Sequence, residues 1–290
     1  MYEDPTDPLS LPSDDVPFEG VPKFLEPSLR AWVREALEEA TDTRYNRNHS
    51  HQFAELLALR LRLSPASSKW GLTPHQTALM YVDQQHLLRT INAILRFAPD
   101  LARIYEPAEK LAGLLSAGGS AYEVSFLDDR PQLVRRMDPP VRDAVQKGQE
   151  EAVPAAADHL RASWVAAFGI EPDANVAYAE AVRAVEAVAC PLVVPNAART
   201  PTLGSVLTAL RGDLQANNPK WQVVIPDQQG APAGVNAVVA MIELLWHGHR
   251  SRHAGSASSR PNTLEEAEAA YMLSATLVHW LSKGALQPRQ

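Results

Sequence analysis

Apolar residues recur every three to four positions in one segment after another of this chain, and two of those segments open with the same capping device. In "TPHQ" Thr73 stands as N-cap, Pro74 takes the first helical position and Gln76 the third, and in "TLEE" Thr263 and Glu266 repeat the arrangement. A capping box satisfies amide donors that every helix start leaves open, so it marks where a helix begins. The periodicity then marks which face is buried. Leu29, Trp32, Val33, Ala36, Leu37 and Ala40 behind Ser28 as N-cap predict a first helix, and "SHQFAELLALRLRL" predicts a second. Leu79, Val82, His86, Leu87, Ile91, Ile94 and Leu95 form one stripe behind Thr73, which predicts a single third helix. "EPAEKLAGLLSAGG" predicts a fourth, ended by Gly118 and Gly119.

The middle of the chain changes pattern. Tyr122, Val124 and Phe126 alternate before a turn-rich "DDRP", which predicts a short hairpin. Helices resume in "AADHLRASWVAAFG", in "DANVAYAEAVRAVEAVACP", closed by Pro191, and in "TPTLGSVLTALRGDL". "WQVVIP" reads as a short strand. Two last helices follow, one carrying Val235, Val238, Val239, Ile242, Leu245 and Trp246 and stopping near Gly248, the other starting at Thr263 and ending at Gly284. The expected fold is therefore mostly α: an N-terminal helical region and a C-terminal helical bundle with a small β-hairpin at its start.

A length of 290 residues predicts two domains, or one with a long helical extension. Residues 1–24 hold five prolines among six acids and are expected to form an acidic, flexible arm; 25–115 make the N-terminal region and 116–290 the C-terminal domain. Hydrophobic residues at 46% and charged residues at 21% describe a soluble globular chain, and a net charge of −7 argues against one built to coat nucleic acid while leaving room for a local basic patch. A single cysteine, Cys190, excludes an internal disulfide and a thiolate zinc cluster. With no apolar run near ~20 residues and no signal-like start, a cytoplasmic protein without membrane partners is expected. P-loop, Rossmann, zincin and nucleophile-elbow motifs do not occur.

One stretch carries residues suited to chemistry. "WHGHRSRHAGSASSRPN" joins the last two helices, is long for such a joint, and contains His247, His249, Arg250, Arg252 and His253. His249 and His253 lie at metal-ligand spacing, but no nearby carboxylate or thiolate completes a site, so neither a metal nor another cofactor is expected. Arginine holds a phosphate and histidine moves a proton from a ribose hydroxyl, so Arg252 and His253 are the minimum parts of a metal-independent endoribonuclease. His247, His249 and Arg250 would add nucleic-acid contacts. The alternative reading is an exposed basic loop between helices.

"HLRASWVAAFGIEPDANVAYAEAVRAVEA", "TLGSVL" and "RHAGS" followed by "TLEEAEAAYMLSATLVHWL" resemble an uncharacterised actinobacterial group similar to the C-terminal domain of abortive-infection proteins. The likeness covers most of residues 116–286, with a looser one at "GVPKFLEPSLRAW". It implies a HEPN-like helical bundle, a homodimer, and an antiphage defence protein that binds or cleaves RNA, with an antitoxin or other protein as partner. It also implies a supporting acid at Glu186, in "VRAVEAV". The HEPN ribonuclease motif places an arginine ahead of a histidine with four to six residues between; before His253 those positions hold Gly248, His247 and Trp246, while Arg250, Arg252 and His253 fall at the group's "RHG"-like element. A non-catalytic helical protein–protein interaction module is the alternative function.

Overall fold

A computed structural model describes residues 17–39, 47–126, 130–136, 153–197, 199–225, 234–250 and 259–289. The chain divides into two compact units, Met1–Arg136 and Met137–Gln290. Among the described residues there are ten helices and two antiparallel strand pairs, so the mostly helical expectation holds.

In the first unit, α1 (Glu26–Glu39) buries Leu29, Trp32, Val33, Ala36 and Leu37 on one face. It starts ahead of Ser28, because the amides of Leu25 and Glu26 already turn back onto the Pro22 carbonyl. Next come α2 (Arg47–Arg60) and α3 (Pro74–Met80), whose predicted capping box is formed: the Gln76 amide donates to Thr73 Oγ1 at 3.3 Å and the Thr73 amide to Gln76 Oε1 at 2.9 Å. The single third helix of the sequence reading is two helices. Asp83 re-caps the chain before α4 (Gln84–Phe97), accepting from the His86 amide at 2.9 Å, and a short carboxylate that competes for backbone donors favours a fresh start over continuation. Arg30 makes the break affordable to bury, donating to the carbonyls of Met80 and Val82 at 2.6 and 2.8 Å. His86 consequently leaves the apolar stripe and pairs in solvent with Asp83.

The helix α5 (Leu101–Ala117) runs through Pro107, whose carbonyl accepts from the buried Trp32 indole at 2.6 Å, and it ends at Gly119 in the left-handed region at φ +62°. Strands β1 (Tyr122–Ser125) and β2 (Gln132–Arg135) form the predicted hairpin, Tyr122 opposite Arg135 and Ser125 opposite Gln132. The alternation did not translate into one buried face: Val124 is buried but Phe126 is exposed. Nor does the hairpin open the second unit. Asn92 accepts from the Leu133 amide at 2.8 Å and Arg130 donates to the Ala98 carbonyl at 2.7 Å, so side chain and backbone bonds dock it on α4 and the boundary falls after Arg136 rather than after residue 115.

The arm needs the same correction at its inner end. Phe18 pairs with Ser120 through the bonds Phe18 N–H to Gly119 O (2.9 Å) and Ala121 N–H to Phe18 O (2.8 Å), and Val21 is buried. Residues 1–16 lie outside the described residues. Deleting residues 1–24 is therefore expected to lower the melting temperature by roughly 5 °C, since burying a valine is worth about 2 kcal/mol. A calorimetric scan with an unchanged transition would show that this packing contributes nothing.

In the second unit, α6 (Pro154–Phe168), α7 (Ala174–Val193) and α10 (Leu264–Ser282) build the core. Alanines at 156, 157 and 167 on α6 and at 177, 181 and 184 on α7 are buried and let the helices approach, and Ser163 donates to the Ala177 carbonyl at 2.8 Å. Rings of Trp164, Phe168 and Tyr271 fill the space that remains, with centroids 4.4 to 5.7 Å apart. On α7 the face of Tyr178, Val182, Val185 and Ala189 is buried, and the helix passes through Pro191 instead of stopping there. Beside this core lie α8 (Leu203–Leu214) and α9 (Val235–Gly248), joined by the Arg211–Glu243 ion pair. Strand β3 (Trp221–Val223) pairs with β4 (Leu286–Pro288), a strand the sequence pattern did not announce. Among the described residues no helix is long and apolar enough to cross a membrane.

Candidate functional site

Three helix ends converge where the basic stretch begins and finishes. The start of α7 is set by Asp173, whose carboxylate accepts from the amides of Asn175 and Val176, both at 3.0 Å. One turn later Tyr178, which is buried, sends its hydroxyl to the Leu245 carbonyl at 3.1 Å, satisfying an acceptor in the last turn of α9. Gly248 makes this approach workable: a Cβ there would lie 2.2 Å from the Tyr178 hydroxyl oxygen. His249 then lays its ring parallel to Tyr178, with centroids 5.3 Å apart and planes at 15°.

The far side of the stretch is tied as firmly. Asn262, buried, donates through Nδ2 to the Gly248 carbonyl at 2.8 Å, and its backbone amide donates to Asn175 Oδ1 at 2.9 Å. It thereby joins the ends of α9, α7 and α10. The capping box of α10 forms as the sequence predicts, with the Glu266 amide donating to Thr263 Oγ1 at 3.3 Å and the Thr263 amide to Glu266 Oε2 at 3.0 Å. Arg260 adds a two-point contact to the same carboxylate, at 2.9 Å for Nη1 to Oε2. That guanidinium, with the Thr263 amide next in weight, holds the Glu266 carboxyl down at about 2, so the cap is ionised throughout the physiological range.

The predicted site residues are thus only partly brought together. His247 and Arg250 are exposed and His249 is half-buried, all at the end of α9. Arg252 and His253 lie outside the described residues. Glu186 has a local partner: its Oε1 accepts from the Leu203 amide at 2.9 Å, so the carboxylate serves the N-terminus of α8. It stands eight residues beyond Tyr178 on α7, about 12 Å along the helix axis. One turn further, burial, with Glu186 adding to it, pushes the Cys190 thiol up to about 11, which is the setting of an inert thiol. Among the described residues no group of three or more His, Cys, Asp or Glu side chains is placed to hold a metal ion.

Asn175 and Asn262 were not singled out in the sequence, although with Tyr178 they build the joint. The one signal available was Gly248 breaking a helix next to histidine, a spacing that also fits an ordinary helix end. Chemically, the joint presents the imidazoles of His247 and His249 and the guanidinium of Arg250 at a fixed helix end. That arrangement can hold an anion. No family model matches the chain, and neither a characterised protein nor a solved structure matches it significantly.

Proposed function

We propose that the second unit binds RNA through the basic stretch between α9 and α10, and that it holds RNA rather than cutting it. The observation that carries this reading is the stretch Trp246–Arg260: three arginines and three histidines in fifteen residues with no Asp or Glu, pinned at one end by Tyr178 and Asn262 and at the other by Glu266. Pinned ends reduce the entropy lost when such a stretch takes a ligand. Phosphate contacts from arginine give affinity without needing a catalytic acid. The engagement of Glu186 with the Leu203 amide at the α8 terminus supports binding without cleavage. The family resemblance supplies the setting: an antiphage defence protein acting as a homodimer that places two such stretches side by side, with an antitoxin-like protein as regulator.

Fluorescence anisotropy with a labelled single-stranded RNA tests the reading. Arg250→Ala/Arg252→Ala is expected to weaken binding at least tenfold at low salt and to flatten the slope of log affinity against log salt by about 1.4, two counterions' worth. The RNA should remain full length after prolonged incubation with wild-type protein. Equal affinity and slope for the two proteins would leave the stretch as a linker.

A further inference from the structure

The connection between α2 and α3, in the first unit, exposes what the rest of that unit buries. Trp70 is 84% exposed, and Leu56 and Leu59, neighbours on one face of α2, are 67% and 61% exposed. Trp70 and Arg62 are also the non-glycine residues with left-handed backbone among the described ones, at φ +51° and +57°, a conformation that L-residues rarely adopt. The fold therefore maintains an unusual backbone in a segment that gives it no indole burial in return.

Charge narrows what could cover this surface. From Leu56 to Val82 the chain has no Asp or Glu, and Arg60, Arg62 and Lys69 are all exposed. Glu55, also exposed, marks its edge. The Arg60 guanidinium lies 3.8 Å from the centre of the Phe97 ring and the Lys69 ammonium 5.1 Å from that of Tyr81, so these cations are laid on aromatic faces and extend the apolar surface. Such a surface fits a ligand that is both acidic and aliphatic. A nucleic acid brings the charge but no aliphatic side chains for Leu56 and Leu59, whereas a peptide can bring both.

The chain itself contains a peptide of that chemistry. Residues 1–16, "MYEDPTDPLSLPSDDV", carry Glu3, Asp4, Asp7, Asp14 and Asp15 together with Tyr2, Leu9, Leu11 and Val16, and no lysine or arginine. They lead into the same unit at Pro17, one residue before the Phe18–Ser120 bridge. Sixteen residues reach up to about 54 Å when extended, and a compact unit of this size is roughly 37 Å across, so reach sets no limit.

We propose that the surface formed by Leu56, Leu59, Arg60, Arg62, Lys69 and Trp70 takes the acidic segment 1–16 of its own chain as its ligand. The test uses full-length protein and a fluorescein-labelled synthetic peptide of residues 1–16. In one variant the five acids of the segment are replaced by their amides and Leu9 and Leu11 by serine, which removes the internal competitor while keeping the chain length. That variant is expected to bind the peptide at least tenfold more tightly than wild type, whose tethered copy occupies the surface at high effective concentration. Adding Trp70→Ala to it should cost at least tenfold, and Leu56→Ser/Leu59→Ser a similar factor; all three positions are exposed, so the fold is retained. Equal peptide binding by wild type and variant, binding indifferent to Trp70→Ala, or no binding at low salt would each overturn the proposal. So would an oligouridylate or a phosphatidylglycerol vesicle that binds this surface through Trp70 where the peptide does not.

Discussion

Gly248→Ala is expected to destabilise the second unit by about 2–3 kcal/mol, and Tyr178→Phe in the same chain to return part of that loss. The added methyl would meet the Tyr178 hydroxyl oxygen at 2.2 Å and the adjacent ring carbon at 3.2 Å. Relief by moving Tyr178 breaks its bond to the Leu245 carbonyl and disturbs the stack on His249. Overpacking of this kind costs about 1–3 kcal/mol and a lost buried hydrogen bond about 1 more. Tyr178→Phe alone gives up only the hydrogen bond, so it should cost about 1 kcal/mol. In the double variant the closest clash is gone, and the two effects should fall short of additive by at least about 1 kcal/mol. Urea unfolding of the four proteins measures this directly. Strict additivity would mean that the helix end relaxes around the methyl without involving Tyr178. In that case the joint is softer than its geometry implies, and RNA affinity in Gly248→Ala should match wild type.

Much of this joint could be anticipated from sequence in one respect and not in another. The Thr263–Glu266 capping box is local, four residues that satisfy one another, so the sequence is enough to place the start of α10. The same holds for Thr73–Gln76 and for the stripes of α7, α8 and α9, because a 3.6-residue period needs no knowledge of the partner helix. Asp83 was as local as either box, yet an uninterrupted apolar stripe masked it. The break it imposes is stabilised by Arg30, fifty residues away, which no local pattern reveals. Pro107 and Pro191 were overridden by packing in the same manner. Strand β4 exists because β3 offers it a ladder and Leu286 a buried site; "ALQP" alone has too little alternation to declare a strand. Glu186 shows the limit for sites. An acid at the expected helical position can serve a backbone amide as readily as a reaction, and only the neighbour, here Leu203, distinguishes the two.

The largest single loss of stability is expected at Trp32, where α1 meets α5. Its side chain is 1% exposed, and its indole nitrogen donates to the Pro107 carbonyl at 2.6 Å. Removing a buried tryptophan of this kind costs about 3–5 kcal/mol, because the transfer free energy is lost and the cavity left behind collapses only in part. Trp32→Ala should therefore consume much of the margin of a unit whose total stability is of the order of 5–15 kcal/mol. Trp32→Phe separates the two contributions. It keeps most of the ring but removes the indole donor to the Pro107 carbonyl, and a loss of about 1–2 kcal/mol is expected. The missing N–H of Pro107 frees the carbonyl one turn earlier in α5, while the Pro107 carbonyl itself takes the indole as an added donor and so links this part of α5 to α1. Chemical denaturation followed by circular dichroism is the measurement. A Trp32→Phe protein as unstable as Trp32→Ala would shift the weight from ring packing to the hydrogen bond, and near-wild-type stability in both would remove Trp32 from the core of the first unit.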